Sequence, residues 1–236
     1  METATIIGIL CLAALVHGTL GFGTGLVAMP LLTLFLGVRD ATALVAFVIL
    51  GTTIVVFAQT WRSLHWDTAR RLLLGAVAGI PLGILVLTQA PADVVQRGLG
   101  VSLIAIGLYS LVAPRLMEVR HPAWAYGFGF ASGLLGGAYN TNAPPVVLYG
   151  ALQRWSPAVF RATLQAYFVP AAALIWLGHG VTGLWTRELF GWYVFYLPFG
   201  LVVLWLGQRL STRLPERSFD RVLYAVIVVL GAALLI

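Results

Sequence analysis

Lysine is absent from this sequence and cysteine occurs once; its 14 basic residues are all arginine, set against only 8 Asp and Glu. A single thiol, Cys11, cannot form an intrachain disulfide, a paired redox motif or a thiolate metal site, so thiol-disulfide electron transfer is not expected. Charged residues make up 9% of the chain and hydrophobic ones 60%. Soluble domains carry roughly a quarter charged residues, so the composition is that of an integral membrane protein. Nucleic acid is not expected as a partner despite the net charge of +6, because the arginines fall in short loops between apolar segments. Membrane orientation accounts for that placement.

The carboxylates are informative by where they are missing. Glu2, Asp40, Asp67, Asp93, Glu118, Glu188, Glu216 and Asp220 all fall in loops or at segment ends. A coupling carboxylate of the kind held within the membrane by many ion-coupled carriers is therefore not expected, and His17 is the one ionisable residue well inside a span. No histidine-carboxylate pair, nucleophile constellation or metal-ligand cluster appears at membrane depth. Neither an enzyme, a cofactor nor a metal is expected.

What is present is apolar sequence in segments near 4–36, 41–60, 69–90, 98–113, 122–152, 162–180, 189–207 and 222–236. Most suit one membrane-spanning helix of about 20 residues. Two are too long. As a straight helix the first would run about 50 Å at 1.5 Å per residue, against a hydrocarbon core of about 30 Å. Each long segment contains a glycine-rich break followed by proline: Gly21-Phe22-Gly23-Thr24-Gly25 before Pro30, and Gly133 through Gly136-Gly137-Ala138-Tyr139-Asn140-Thr141-Asn142 before Pro144 and Pro145. Both are read as helical hairpins, since irregular backbone at membrane depth lines a cavity or is buried in protein. The run from Thr3 to Val16 has no basic start and is read as retained structure rather than a signal peptide.

The halves resemble each other. Gly21 aligns with Gly136 and Pro30 with Pro145 at an offset of 115, Pro81 with Pro198 at 117, and Arg97 and Gly107 with Arg221 and Gly231 at 124. Residues 1–116 and 117–236 are read as two repeats of a single transmembrane transporter domain. Hairpins that enter and leave on one side would place Arg62, Arg70, Arg71, Arg115, Arg120, Arg154, Arg161, Arg209, Arg213, Arg217 and Arg221 together, and Arg39, Arg97 and Arg187 opposite. That 11 to 3 split obeys the positive-inside rule, whereas single crossings by each broken segment would give 6 to 8. Each repeat then holds a broken or re-entrant hairpin plus three spans, which inverts one repeat relative to the other in an all-α membrane protein. Both termini are expected outside the cytoplasm. Arms that cross fully would give ten spans with the same orientation. Trp61, Trp66, Trp124, Trp155, Trp176, Trp185, Trp192 and Trp205 lie near segment ends and are read as interfacial anchors.

In this arrangement the two breaks meet near the bilayer midplane, each preceding a helix whose first amides lack intrahelical partners. Facing helix starts make an anion site without a buried arginine. Thr24 is the expected cap of the helix after the first break, and Asn140, Thr141 and Asn142 of the one after the second, with Pro144 tolerated in its first turn. The candidate substrate residues are Gly21, Phe22, Gly23, Thr24, Gly25, Gly136, Gly137, Tyr139, Asn140, Thr141, Asn142 and Pro144. His17, Gln165 and Tyr167 are pathway candidates, with His17 also a proton carrier or a partner of the broken-helix backbone. Isolated glycines such as Gly75, Gly79 and Gly107 are assigned to packing, and His65, His121 and His179 are given no role.

The strings "GFGTGLVAMPLLTLFLGV" and "GLLGGAYNTNAPPVVLYG" resemble the TauE/SafE-type sulfite exporter family of membrane transporters over nearly the whole chain. That resemblance implies a bacterial inner-membrane carrier for sulfite, sulfonates or related small anions. It points to Gly21, Gly23, Gly25, Pro30, Gly133, Gly136, Gly137, Asn140, Asn142 and Pro144, with departures from the family pattern at Thr24 and Ala143. The expected function is translocation of a small anion, sulfite or an organosulfonate, with export favoured because an inside-negative potential drives anions out. The alternatives are a carrier for another small carboxylate or sulfur compound, or a passive anion channel. The expected partners are the anion and the lipid bilayer; a homo-oligomer is left open.

Overall fold

The computed structural model describes residues 2–60, 65–112, 121–211 and 216–235. Trp61, Arg62, Arg115, Glu118, Arg120, Arg213 and the junction of the two repeats lie outside the described residues, and in Glu216–Asp220 and Arg221 the backbone alone is described. Every described element is a helix: α1 Glu2–Leu20, α2 Thr24–Leu36, α3 Val38–Thr60, α4 Trp66–Gln89, α5 Ala92–Val112, α6 Trp124–Tyr139, α7 Ala143–Leu152, α8 Pro157–Val181, α9 Arg187–Ser211 and α10 Glu216–Ala233. Six of these, α1, α3, α4, α5, α8 and α9, are long and apolar enough to cross a membrane. The protein is an all-α multi-pass membrane protein.

The two over-long apolar segments are the hairpins α1–α2 and α6–α7. Their second arms have 13 and 10 residues, about 20 and 15 Å of helix, so neither reaches across a core of about 30 Å. Ten full crossings are thereby excluded for these arms. Both first arms end the same way, on a left-handed residue whose N–H returns to the carbonyl four residues back: Gly21 (φ 83°) to His17 at 2.7 Å, and Asn140 (φ 53°) to Gly136 at 2.8 Å. Glycine and asparagine are the residues that take this conformation most readily. In conformation Gly21 corresponds to Asn140, whereas the sequence alignment pairs it with Gly136. First arms end at Leu20 and Tyr139, and second arms begin at Thr24 and Ala143, so the hairpins are 119 residues apart, one helical turn more than glycine matching gives.

Helix partners are exchanged between the halves. α1 packs on α9 while α6 packs on α4, and α3 pairs with α8 and α5 with α10. The α4–α6 seam is made of small residues: Gly75, Gly79 and Gly83 lie against the carbonyls of Tyr126, Phe130 and Leu134, and Gly129, Gly133 and Gly137 against those of Leu72, Ala76 and Ile80. This regular advance makes the two helices parallel, and the missing side chains let their backbones touch, as is common where lipid offers no hydrophobic drive for association. By contrast α5 and α10 are antiparallel, with Gly100 against Gly231 and Gly107 against Tyr224. So are α3 and α8, whose contacts run from the His65 N–H donating to Thr163 Oγ1 (3.0 Å), just beyond the end of α3, back to the edge-on rings of Phe47 and Trp176.

One charged residue has a clear local task. Arg39, in the first turn of α3, donates to the carbonyls of Leu87, Thr88 and Ala90 (3.0–3.2 Å) at the end of α4, where carbonyls lack helical partners and the helix dipole favours a cation. Trp66, Trp124 and Trp205 are exposed. Trp176 differs: it packs against Trp185 and Phe47 inside an aromatic cluster.

Candidate substrate site

The two hairpin tips touch. Gly25, in the first turn of α2, lies so close to the Asn140 backbone that a Cβ there would run into the Asn140 carbonyl. Around this contact is a cavity with about 20 Å³ open to the centre of a water-sized sphere, lined by residues of both tips, His17 of α1, Ile49 and Thr53 of α3 and Phe168 of α8. A water needs about 10–15 Å³ by that measure, so the cavity holds one water-sized guest as it stands. Among the sequence candidates, Phe22, Gly23, Thr24, Gly25, Asn140, Thr141, Asn142 and His17 line it.

Backbone geometry delivers the first tip. Gly23 has φ 106°, a conformation that side chains strain, and it caps α2 with no side-chain bond. Thr24 is therefore not the cap. It is the first residue of α2, and its hydroxyl pairs with His17 Nδ1 at 2.8 Å across the break. This leaves the α2 start without a side-chain acceptor, so its leading amides remain donors.

Side chains hold the second tip. Asn140 does not cap α7 either; it closes α6, and its Nδ2 donates to the Thr42 carbonyl of α3 at 2.6 Å. Asn142 sits at the cap position of α7 but makes no side-chain cap bond. Its carbonyl instead accepts from Ser132 Oγ, which in turn accepts from the Tyr167 hydroxyl at 2.7 Å. Pro144 and Pro145 follow in the first turn, so α7 offers fewer amides than α2.

Three polar atoms on cavity-lining residues are buried and have no partner within the described protein: His17 Nε2, Thr141 Oγ1 and Asn142 Nδ2. Buried polar groups are nearly always paired, because an unmet group costs about 1–3 kcal/mol. Asn142 Nδ2 can only donate. Where His17 Nδ1 accepts the Thr24 hydroxyl, the neutral ring carries its proton on Nε2, which then donates as well. In that tautomer two of the three unpartnered atoms, Asn142 Nδ2 and His17 Nε2, are donors, and the Thr141 hydroxyl is able to donate as well.

Several candidates lie elsewhere. Gly21 is tied down by its carbonyl, which accepts from Gln165 Nε2 at 2.6 Å. Gln165 thus braces the first break and Tyr167 the second; neither lines the cavity. Gly137 is a packing residue against α4, and Gly136 backs the Asn142 side chain. The Tyr139 hydroxyl points to Gly98 of α5, away from the tips. Pro144 faces a separate apolar chamber. His179, given no role by its place near a segment end, is fully buried with Nε2 3.3 Å from the Gly137 carbonyl. Ser132 and Thr42 escaped the sequence reading. Ser132 is an isolated hydroxyl in an apolar helix, and Thr42 contributes through its backbone, which no side-chain pattern reveals.

A multi-pass helical bundle with two broken hairpins in contact, and buried unpartnered polar atoms on the residues between them, is an arrangement that membrane transporters use. The Sulfite exporter TauE/SafE family model matches residues 6–234, and the chain belongs to that family of transporters. Neither a curated protein nor a solved structure matches the chain significantly.

Proposed function

We propose that this chain is an inner-membrane carrier that exports a small anion, sulfite or an organosulfonate, bound between the hairpin tips. The observation that carries the reading is that three residues lining one cavity at the start of α2, His17, Thr141 and Asn142, each carry a buried polar atom without a partner. Donors without acceptors, next to the positive end of a helix, select for negative charge without a buried cation. Desolvating an arginine in the membrane is avoided, and the anion is released again because no full countercharge holds it. In an inside-negative cell each exported charge gains about 2.3 kcal/mol per 100 mV.

The two repeats are inverted in this reading. The exchange of partners (α1 with α9, α6 with α4) and the antiparallel pairing of α3 with α8 and α5 with α10 are what a two-fold axis in the membrane plane produces. Such a relation gives the bound anion two equivalent exits, one past each hairpin, and places the termini outside. The test is flux of sulfite from proteoliposomes under an imposed potential. Saturable flux that rises with the potential, and an about ten-fold rise in half-saturation for Asn142→Ala, are expected for one lost charge-assisted bond. Flux indifferent to both would overturn the site, and flux that never saturates would make the protein a channel.

A further inference from the structure

Two larger apolar cavities flank the bundle, and their relation to the polar site differs. One, about 500 Å³, lies between α4 and α8 and shares no lining residue with the tips. The other, about 490 Å³, is bounded by α5, α6, α7 and Tyr224 of α10, and Phe22 lines both it and the polar cavity. α7 divides its first turn between them: Asn142 and Ala143 face the polar cavity, while Pro144 and Pro145 wall the chamber. Proline has no N–H, so that wall presents hydrocarbon where other helix starts present donors. No charged side chain lines the chamber among the described residues.

We infer, resting on the carrier reading above, that the two cavities are the two ends of one substrate site divided by the Phe22 ring. The transported species is then an organic anion with a compact oxyanion head at the donors and an apolar body in the chamber. Bare sulfite is the lesser ligand. A chamber of this volume is in the usual range for organic ligands, whose pockets are apolar with a few placed polar groups. Inorganic sulfite has no surface to bury against Phe128, Leu135 or Val147 and keeps its hydration better in water. An aryl or alkyl body removes apolar area from water there, and a turn of the Phe22 side chain joins the compartments.

The test compares sulfite, methanesulfonate and benzenesulfonate as substrates of the full chain in proteoliposomes under one potential. Benzenesulfonate is expected to half-saturate at about one tenth of the methanesulfonate concentration, the gain from burying one ring. Filling the chamber by Val147→Trp, or more gently by Ala131→Leu, is expected to collapse this preference towards one. Leu174→Trp in the cavity between α4 and α8 leaves the preference at its original value. The inference is overturned if all three anions half-saturate alike, or if the chamber variants leave the preference intact, which would make the chamber a seat for lipid chains. The comparison of anions on the unmodified protein decides this even if a variant misfolds. Flux of sulfite without size preference overturns this inference alone, whereas no anion flux at all overturns the carrier reading with it.

Discussion

The two hairpin tips do the same job with different materials. At the first, Gly21 and Gly23 adopt left-handed conformations, and the structure of the turn is written in backbone. At the second, Asn140 takes the equivalent left-handed position and uses its side chain to strap the turn to α3, while Ser132 and Tyr167 hold the Asn142 carbonyl. The first tip consequently contributes amides to the cavity and the second contributes side-chain donors. On the proposed reading, an anion held between them would meet a fixed dipole on one side and adjustable groups on the other. Substrate choice in this protein is therefore expected to be set by the second tip, and the geometry of approach by the first.

The largest effect belongs to the contact itself. Gly25→Ala would push a methyl into the Asn140 carbonyl, and because that obstacle is backbone the tips must separate. Overpacking of this kind costs about 1–3 kcal/mol. Thermal unfolding in detergent should show the loss, and anion flux should fall with it. An unaltered melting temperature would mean that the tips are not pressed together.

Next comes charge at the second tip. Asn142→Asp replaces a buried donor with a carboxylate in a cavity furnished with donors. A resident negative charge satisfies those donors and repels the substrate, so flux should be abolished while the protein remains folded. Placing the same charge at the first tip is not equivalent, since Thr24 is already engaged with His17. Retained flux in Asn142→Asp would show that the donors do not face the anion.

A third substitution exchanges the materials. Asn140→Gly keeps the left-handed turn but removes the strap to Thr42, and should cost about 1 kcal/mol, whereas Asn140→Ala loses the conformation too and should cost about 1–2 kcal/mol more. Equal losses in chemical unfolding would mean that the conformation is not what asparagine supplies.

Much of this contrast was legible in the sequence. The mismatch between segment length and membrane thickness located both hairpins, and glycine and asparagine runs located both tips. What could not be read was which way polar groups turn. Thr24 was expected to cap α2, yet His17 competes for its hydroxyl from the preceding helix. Gly136, Gly137 and Tyr139 are contiguous with Asn140 but face α8, α4 and α5, because helical residues next to one another point to different neighbours. Matching Gly21 to Gly136 rewards identity, whereas Gly21 and Asn140 are the residues that share a left-handed conformation at the end of a first arm. Polar residues such as Thr52, whose hydroxyl bonds the Val48 carbonyl of its own helix, look in sequence just like Ser132, which crosses a break.

The smallest expected effect tests the bracing rather than the site. Gln165 and Tyr167 lie two residues apart on α8, and one supports each break, the first through the Gly21 carbonyl and the second through Ser132. Gln165→Leu removes a donor to one backbone carbonyl, and Tyr167→Phe removes a donor to one hydroxyl. Each should cost about 0.5–1.5 kcal/mol. Their consequences for transport should differ all the same. The Gly21 carbonyl belongs to a turn fixed by glycine conformation, so Gln165→Leu is expected to lower stability with little change in half-saturation. Ser132 holds the residue that carries Asn142 Nδ2, so Tyr167→Phe is expected to raise half-saturation by about two- to five-fold at a similar loss of stability. If the two variants shift half-saturation equally, the division of labour between a rigid first tip and an adjustable second tip is wrong.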